Sequence, residues 1–97
     1  MNYYFEWDPR KAQINFKKHK IPFDKATEIF NDPLALSLYD ESHSDDEDRW
    51  ITLGNTKVGT IIIVVHTYEE LNSTDVKIRI ISARKATKNE TKQYQGK

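Results

Sequence analysis

The 97-residue chain carries 15 basic and 15 acidic side chains, so its formal net charge is zero at pH 7. This length suits one hydrophobic core but not two, and we expect a single domain over residues 1–97. The chain has no cysteine, which excludes disulfides and thiolate zinc sites and suits a reducing, cytoplasmic environment. We expect no membrane association, because the N-terminus lacks the pattern of a signal peptide and the longest aliphatic run, Ile61–Val65, is far shorter than the roughly 20 residues of a membrane-spanning helix.

The charges are separated along the chain. Residues 40–48 contain six acids and no base, whereas residues 76–97 contain seven bases and one acid, a net charge of +6. A neutral total argues against a nucleic-acid partner, which is bound through clustered cations. Because the charges are separated, the basic C-terminal part of the chain can still bind nucleic acid.

The first third of the chain predicts one strand and two helices. Aromatic and polar side chains alternate over Tyr3–Trp7, as in a half-buried strand. Asp8-Pro9 then provides an N-cap and a first-turn proline for a helix that continues over Arg10–Lys18. A second short helix is predicted over Asp24–Phe30, and Asn31-Asp32-Pro33 ends it.

From Leu34 onward the apolar residues recur at every second position, which predicts strands. One strand contains Leu34, Leu36 and Leu38, and the acidic stretch after it is a solvated loop. Three further strands are predicted, with a turn containing Gly54-Asn55 and Gly59 between the first two: Arg49–Leu53, Thr60–Thr67 and Val76–Ser82. The middle one is apolar on both faces and is placed centrally in the sheet.

Two features of the C-terminal part complete the predicted fold. In the last strand Val76, Ile78 and Ile80 alternate with Lys77 and Arg79, so one face packs on the helices and the other carries cations. A capping box over residues 87–90 starts a short C-terminal helix. The prediction is an α+β fold, with two N-terminal helices packed on one face of a mostly antiparallel sheet whose other face is open.

The arginines near strand ends are the first candidates for chemistry. Arg49, Arg79 and Arg84 have Lys77 and Lys85 close in sequence, and a guanidinium matches two phosphate oxygens with its planar fork of donors. Such cations also stabilise the charge that develops on a reacting phosphate. The alternative is that they keep sheet edges soluble and pair with the acidic loop.

The three histidines have different prospects. His19, together with Lys18 at the end of the first predicted helix, is a candidate for proton transfer at neutral pH, although cations there are also favoured by the helix dipole. His66 is expected to be an interior or edge histidine with satisfied hydrogen bonds, and not a catalyst. His43, beside the acids, fits no metal-ligand spacing, and no metal site or cofactor is predicted.

Taken in chain order, the sequence resembles the BrnT family of toxins over nearly its whole length. The residues that carry the resemblance are Phe5-Glu6-Trp7-Asp8, Lys11, Asn15, Lys18-His19, Phe23, Ala26, Phe30, Asp32-Pro33, His43-Ser44, Arg49, Leu53-Gly54, Val65-His66-Thr67, the run from Ile78 to Thr87, Glu90 and Tyr94. The chain departs from the family at Tyr68-Glu69-Glu70, where an arginine is common.

The resemblance implies a RelE-like fold and a ribonuclease that arrests translation. It also implies neutralisation by a BrnA-type antitoxin that carries the DNA-binding portion, so DNA is contacted only through the complex, which is expected to be a dimer of heterodimers. Metal is not required because RNA supplies its own nucleophile, the ribose 2′-hydroxyl. Translation arrest makes mRNA the expected substrate.

Site residues follow from combining the resemblance with the charge pattern. We assign the scissile phosphate to Arg79 and Arg84 with help from Arg49, and proton transfer to His19 and Lys18. Contacts along the RNA are assigned to Lys77, Lys85, Lys88 and Tyr94. The main alternative is an inactive interaction module that uses the same cationic face to bind an antitoxin-like partner. A DNA-binding role is less favoured, because no predicted helix combines a basic face with base-reading polar side chains in a helix-turn-helix segment.

Overall fold

The computed structural model describes residues 1–96; Lys97, counted above in the basic C-terminal segment, lies outside the described residues. The strands are β1 (Asn2–Glu6), β2 (Leu36–Tyr39), β3 (Trp50–Asn55), β4 (Ile61–His66), β5 (Glu69–Glu70) and β6 (Asp75–Lys85). The helices are α1 (Pro9–His19), α2 (Phe23–Ala26) and α3 (Lys88–Gln95), with 3-10 segments at Thr27–Asn31 and Glu41–His43. Over residues 1–96, no helix combines the length and apolar character that crossing a bilayer demands.

The strands form one mixed sheet in the order β1-β6-β4-β3-β2, and β5 also pairs with β6. β1 runs parallel to β6, while the other neighbours are antiparallel. The predicted α+β class is confirmed. The sequence pattern did not predict the parallel pair, because strand pairing over long sequence separation leaves no local periodicity. It also missed the short strand β5, whose two residues, Glu69 and Glu70, are too few to show a period.

Local signals place the helix ends. The side chain of Asp8 accepts a hydrogen bond from the backbone N–H of Arg10 at 2.8 Å, as expected of an N-cap, and Lys20 ends α1 in the left-handed region with a φ of 61°. The second predicted helix divides into α2 and a 3-10 segment that ends at Asn31. The predicted capping box of α3 is present, with Thr87 and Glu90 bonding each other's backbone N–H groups.

Two apolar clusters lie on opposite faces of the sheet. The larger one packs α1, α2 and the first 3-10 segment against β4 and β6, and its buried members are Ile21, Phe23, Ala26, Ile29, Ile62, Val64, Val76, Ile78, Ile80 and Ala83. The smaller one contains Leu53, Ile63 and Tyr94, and α3 covers it. The face that was expected to be open is therefore closed at one end by α3 and open elsewhere.

A buried side-chain amide continues the sheet edge where β1 stops. β1 pairs with β6 only as far as Arg79. Beyond that point Asn15 of α1 donates from Nδ2 to the carbonyl of Ala83 at 2.9 Å and accepts the N–H of Ala83 at 3.1 Å. The carboxamide satisfies both backbone groups as a peptide would, and so fixes α1 against β6.

We expect Asn15→Ala to lower the free energy of unfolding by about 3 kcal/mol, because it leaves the Ala83 N–H and carbonyl buried without partners. Urea denaturation followed by circular dichroism measures the change. Gln13→Ala, at an exposed position of the same helix, is the matched control and should change little. Equal stability of the two variants would contradict this role of Asn15.

Candidate active site

A β-bulge in β6 places two of the predicted arginines on one face of the sheet. Val65 pairs with Ser82, but the next residue, His66, pairs with Ile80, so Ile81 is an extra residue in β6. Alternation alone would send Arg79 and Arg84, five positions apart, to opposite faces. The extra residue restores them to the same face, opposite to the one that contacts α1.

Arg49 and Arg79 flank the same point of the sheet. Thr67 donates its backbone N–H to the carbonyl of Arg79 at 3.0 Å, and its hydroxyl accepts the N–H of Arg79 at 3.0 Å. On the other side of β4, Trp50 pairs with His66, so the preceding Arg49 stands beside Thr67. The order across the three strands is therefore Arg49, Thr67, Arg79.

Glu47 from the acidic loop occupies the space between these arginines. Both of its carboxylate oxygens accept hydrogen bonds from Nη2 of Arg79, and its Oε1 lies 3.4 Å from Nη2 of Arg49. An open hollow of about 320 Å³ surrounds the Arg79 side of this contact. Its lining residues are Glu6, Glu47, Asp48, Thr67, Tyr68, Glu69, Lys77 and Arg79.

Arg49 also anchors the acidic loop through its backbone. Its N–H donates to the hydroxyl of Ser44 at 3.1 Å, and its carbonyl accepts the N–H of Asp40 at 2.9 Å. Within residues 1–96, its buried Nε has no hydrogen-bond partner. A guanidinium with an unused buried donor retains binding capacity for a further acceptor.

Arg84 is paired with the cap of α3. Its Nη1 and Nη2 bond the two carboxylate oxygens of Glu90 at 2.8 and 2.9 Å. This contact lowers the pKa of Glu90 to about 2, helped by the Thr87 N–H, and raises the pKa of Arg84. At about 3.3 Å per residue, the Cα atoms of Arg79 and Arg84 are roughly 15 Å apart, so these arginines serve different points of the face.

Other predicted contact residues take several positions. Lys77 forms an ion pair with Glu6 at 3.3 Å, Lys85 ends β6, and Lys88 begins α3. Tyr94 is 9% exposed, and its hydroxyl donates to Asp32 at 2.6 Å, a hydrogen bond that raises the pKa of Tyr94 to about 12. Its burial in the cluster under α3 does not support the predicted contact with RNA.

Lys18 and His19 lie at the C-terminal end of α1, which packs on the opposite face of the sheet from Arg79. The structure records no contact between these two residues and the arginines within residues 1–96. Their assignment to proton transfer stays a prediction from sequence, and the fold provides no shared pocket to support it.

His66 is interior and has a hydrogen-bond partner on each ring nitrogen. Its Nδ1 donates to the carbonyl of Thr67 at 2.8 Å, so Nε2 accepts from the hydroxyl of Thr52 at 2.6 Å, and the Thr52 oxygen lies 2.7 Å from that of Ser37. Burial lowers the pKa of His66, which keeps the ring neutral. The prediction of a satisfied interior histidine is confirmed.

Comparison with known proteins identifies the family. The family model described as "Ribonuclease toxin, BrnT, of type II toxin-antitoxin system" matches residues 7–90. The chain belongs to this BrnT family. The fold is also similar to the crystal structure of the Brucella abortus ribonuclease toxin BrnT, with a TM-score of 0.56 and 21% identity over 91% of this chain and 100% of that one. No curated protein sequence matches the chain.

For this BrnT chain, sequence reasoning missed Glu47. Glu47 is one of six acids between residues 40 and 48, and nothing in the local pattern distinguishes it from its neighbours. Its position two residues before Arg49 was the available signal, but only the fold brings it to Arg79. Over residues 1–96 the structure contains no group of three or more His, Asp or Glu side chains arranged to hold a metal ion.

Glu90→Gln tests the ion pair with Arg84 separately from the helix cap, since glutamine can still accept the Thr87 N–H. A carboxyl whose pKa falls from 4.5 to about 2 on folding stabilises the native state above pH 4.5, and this stability is lost as the pH falls towards 2. We therefore expect the melting temperature of Glu90→Gln to depend less on pH between 4.5 and 2 than that of the parent chain. Glu70→Gln, on the exposed strand β5, is the control. Equal pH dependence of the melting temperature in Glu90→Gln and Glu70→Gln would contradict this role of Glu90.

Proposed function

We propose that this BrnT toxin is a metal-independent endoribonuclease that cleaves mRNA through attack by the 2′-hydroxyl and thereby inhibits translation. One observation carries the proposal: Arg49 and Arg79 stand on either side of Thr67 and together contact a single carboxylate. Two guanidinium groups around one anion have the donor pattern that binds a phosphate diester and its more highly charged transition state. The carboxylate of Glu47 marks where those oxygens would lie.

The chemistry needs little from the protein besides charge and proton transfer. RNA carries its nucleophile next to the scissile phosphate, so neither a metal-bound water nor a nucleophilic side chain is required, and DNA, which lacks the 2′-hydroxyl, is not cut. A relationship to the RelE-like toxins, which the sequence resemblance implies, belongs to the same proposal. The described residues supply the cations for this reaction.

The cationic residues divide between the scissile and the flanking phosphates. We assign the scissile phosphate to Arg79 and Arg49, because they share one anion in the structure. Arg84 lies on the same face near α3, close in sequence to Lys85 and Lys88, and Lys77 lies on the Arg79 side. These four extend the path to neighbouring phosphates, whose contacts contribute affinity without reading sequence.

The partner that restrains the toxin is proposed to be a protein antitoxin of the BrnA type. Membership in a type II toxin-antitoxin family supports a protein partner. The same sheet face exposes Leu38, which is 66% exposed, beside the arginines, and an antitoxin that covers both would exclude RNA. DNA would be contacted only through the antitoxin, in a dimer of heterodimers acting in the cytoplasm.

The second candidate function is a catalytically inactive interaction module. The hollow around Arg79 contains four carboxylates, from Glu6, Glu47, Asp48 and Glu69, but only two cations. Glu69 belongs to the Tyr68-Glu69-Glu70 segment, where the family commonly has an arginine. This balance disfavours a phosphate polyanion and favours a protein partner that supplies its own cations.

Arg79→Ala decides between the two functions when RNA integrity and growth are followed after induction in cells. We expect the parent chain to arrest growth with RNA cleavage, and the variant to lose at least about 10²-fold in cleavage rate, because it removes a donor to the reacting phosphate. Arg49→Ala should behave likewise. Lys57→Ala is the control. It also removes one cation, but from the turn between β3 and β4, at the end of these strands away from Arg49, and it should retain activity. Normal growth and intact RNA with soluble parent protein would favour the inactive module.

The nature of the nucleophile is tested with purified protein and a short RNA. A single 2′-deoxy nucleotide on the 5′ side of the scissile phosphate should abolish cleavage at that bond, because the attacking oxygen is missing. The products of the unmodified RNA should end in a 2′,3′-cyclic phosphate, and EDTA should leave the rate unchanged. Cleavage at the deoxy position, or loss of activity in EDTA that Mg²⁺ restores, would contradict this mechanism.

A further inference from the structure

We propose that Glu47 and His43 of the acidic loop are the proton-transfer pair of the reaction, with Glu47 as the general base and His43 as the general acid. This inference rests on the proposed ribonuclease function and deepens it. It assigns catalytic residues that sequence reasoning placed elsewhere, on Lys18 and His19. The loop that was expected to be only a solvated segment becomes part of the active site.

The carboxylate of Glu47 lies where a base is required. A general base must reach the 2′-hydroxyl, which is adjacent to the phosphate held by the arginines. Glu47 is already in contact with both Arg79 and Arg49. When a phosphate takes over the guanidinium donors, the displaced carboxylate remains beside it, at the distance of a neighbouring hydroxyl. The two arginines thus position the base as well as the substrate.

His43 is oriented by a carboxylate of the same loop. Its Nδ1 lies 3.2 and 3.1 Å from the two carboxylate oxygens of Asp40. A proton on Nδ1 donates to this carboxylate, which leaves Nε2 free for proton transfer, and 68% of the side chain is exposed. A histidine oriented by a carboxylate through one nitrogen transfers protons through the other.

The frame of the loop brings these groups together. A hollow of about 230 Å³ is lined by Ser42, His43, Asp45, Asp46, Glu47 and Arg49. Ser44 connects its walls, because its hydroxyl donates to the carbonyl of Asp40 and accepts the N–H of Arg49 at 3.1 Å. The acid, the base and one phosphate-binding arginine therefore line one pocket, whose loop is held by the hydrogen bonds of Ser44.

The charged surroundings of the pair are mixed. Glu47 contacts Arg49 and Arg79 and lines both hollows. The other charged or titratable side chains that line them are Glu6, His43, Asp45, Asp46, Asp48, Glu69 and Lys77. His43 contacts Asp40, and Asp45 and Asp46 line the same hollow. Arginines therefore surround the base, and carboxylates surround the acid.

The proposed step balances in protons and bonds. Glu47 accepts the proton of the 2′-hydroxyl while that oxygen forms a bond to phosphorus. The bond from phosphorus to the 5′-oxygen breaks, and the departing oxygen takes the proton from Nε2 of His43. The products are a 2′,3′-cyclic phosphate and a 5′-hydroxyl, with Glu47 protonated and His43 neutral, and proton exchange with water restores both.

The first experiment compares Glu47→Gln and His43→Gln with the parent chain on a short RNA. We expect each variant to lose at least about 10²-fold in kcat/KM, since general acid and base groups each contribute about that much. The parent should show a bell-shaped pH profile, with the acidic limb missing in Glu47→Gln and the alkaline limb missing in His43→Gln. Glu41→Gln, in the same loop but outside both hollows, is the matched control and should keep the parent rate.

The second experiment separates the two roles with an RNA whose 5′-bridging oxygen is replaced by sulfur, a leaving group that needs no protonation. We expect His43→Gln to regain most of the parent rate on this substrate, whereas Glu47→Gln stays impaired. Cleavage by Glu47→Gln within threefold of the parent, or His43→Gln equally slow on both substrates, would overturn the assignment. Failure of the parent chain itself to cut RNA would instead contradict the proposed function.

Discussion

The register shift of β6 opposite Val65 and His66 determines which side chains share the open face of the sheet. β6 pairs with β1, β4 and β5, so its path fixes most of the sheet. If β6 paired regularly through Ile81 instead of bulging there, Arg84 would point into the helical side of the molecule, where Ala83 now packs against Asn15. The same bulge therefore closes the core under α1 and directs a row of cations outward.

A row of hydrogen-bonded polar side chains, of which Thr52 and His66 are buried, supports the region between the arginines. Ser37, Thr52 and His66 connect three neighbouring strands by side-chain hydrogen bonds and end on the carbonyl of Thr67. The ring of Phe30 packs edge-on against His66, with centroids 4.8 Å apart. Both ring nitrogens of His66 are used in these hydrogen bonds, so the imidazole holds the Thr67 carbonyl in place. Thr67 in turn aligns the backbone of Arg79.

The arginines of the open face are each paired with a carboxylate of the same molecule, Glu47 for Arg79 and Arg49, and Glu90 for Arg84. This pairing lets a chain of zero net charge present oriented guanidinium groups on one face of the sheet. A partly exposed pair such as Arg79–Glu47 contributes little to stability, so a competing anion can displace the carboxylate at small cost. The fold thus keeps its cations oriented. Under the proposed mechanism RNA would displace Glu47, which would stay close enough for proton transfer.

The sequence by itself determined the local structure and the family. Helix caps at Asp8 and Thr87, the alternation along β6 and the interior place of His66 depend on neighbours in the chain, and all were predictable from residue type and period. Only the tertiary structure decided the parallel pairing of β1 with β6, the bulge at Ile81 and the choice of Glu47 among six acids. These features join residues that are distant in the sequence, 32 positions apart for Glu47 and Arg79 and 73 for Asn2 and Asp75. Contacts over such separations are selected by packing and strand register, which leave no local pattern.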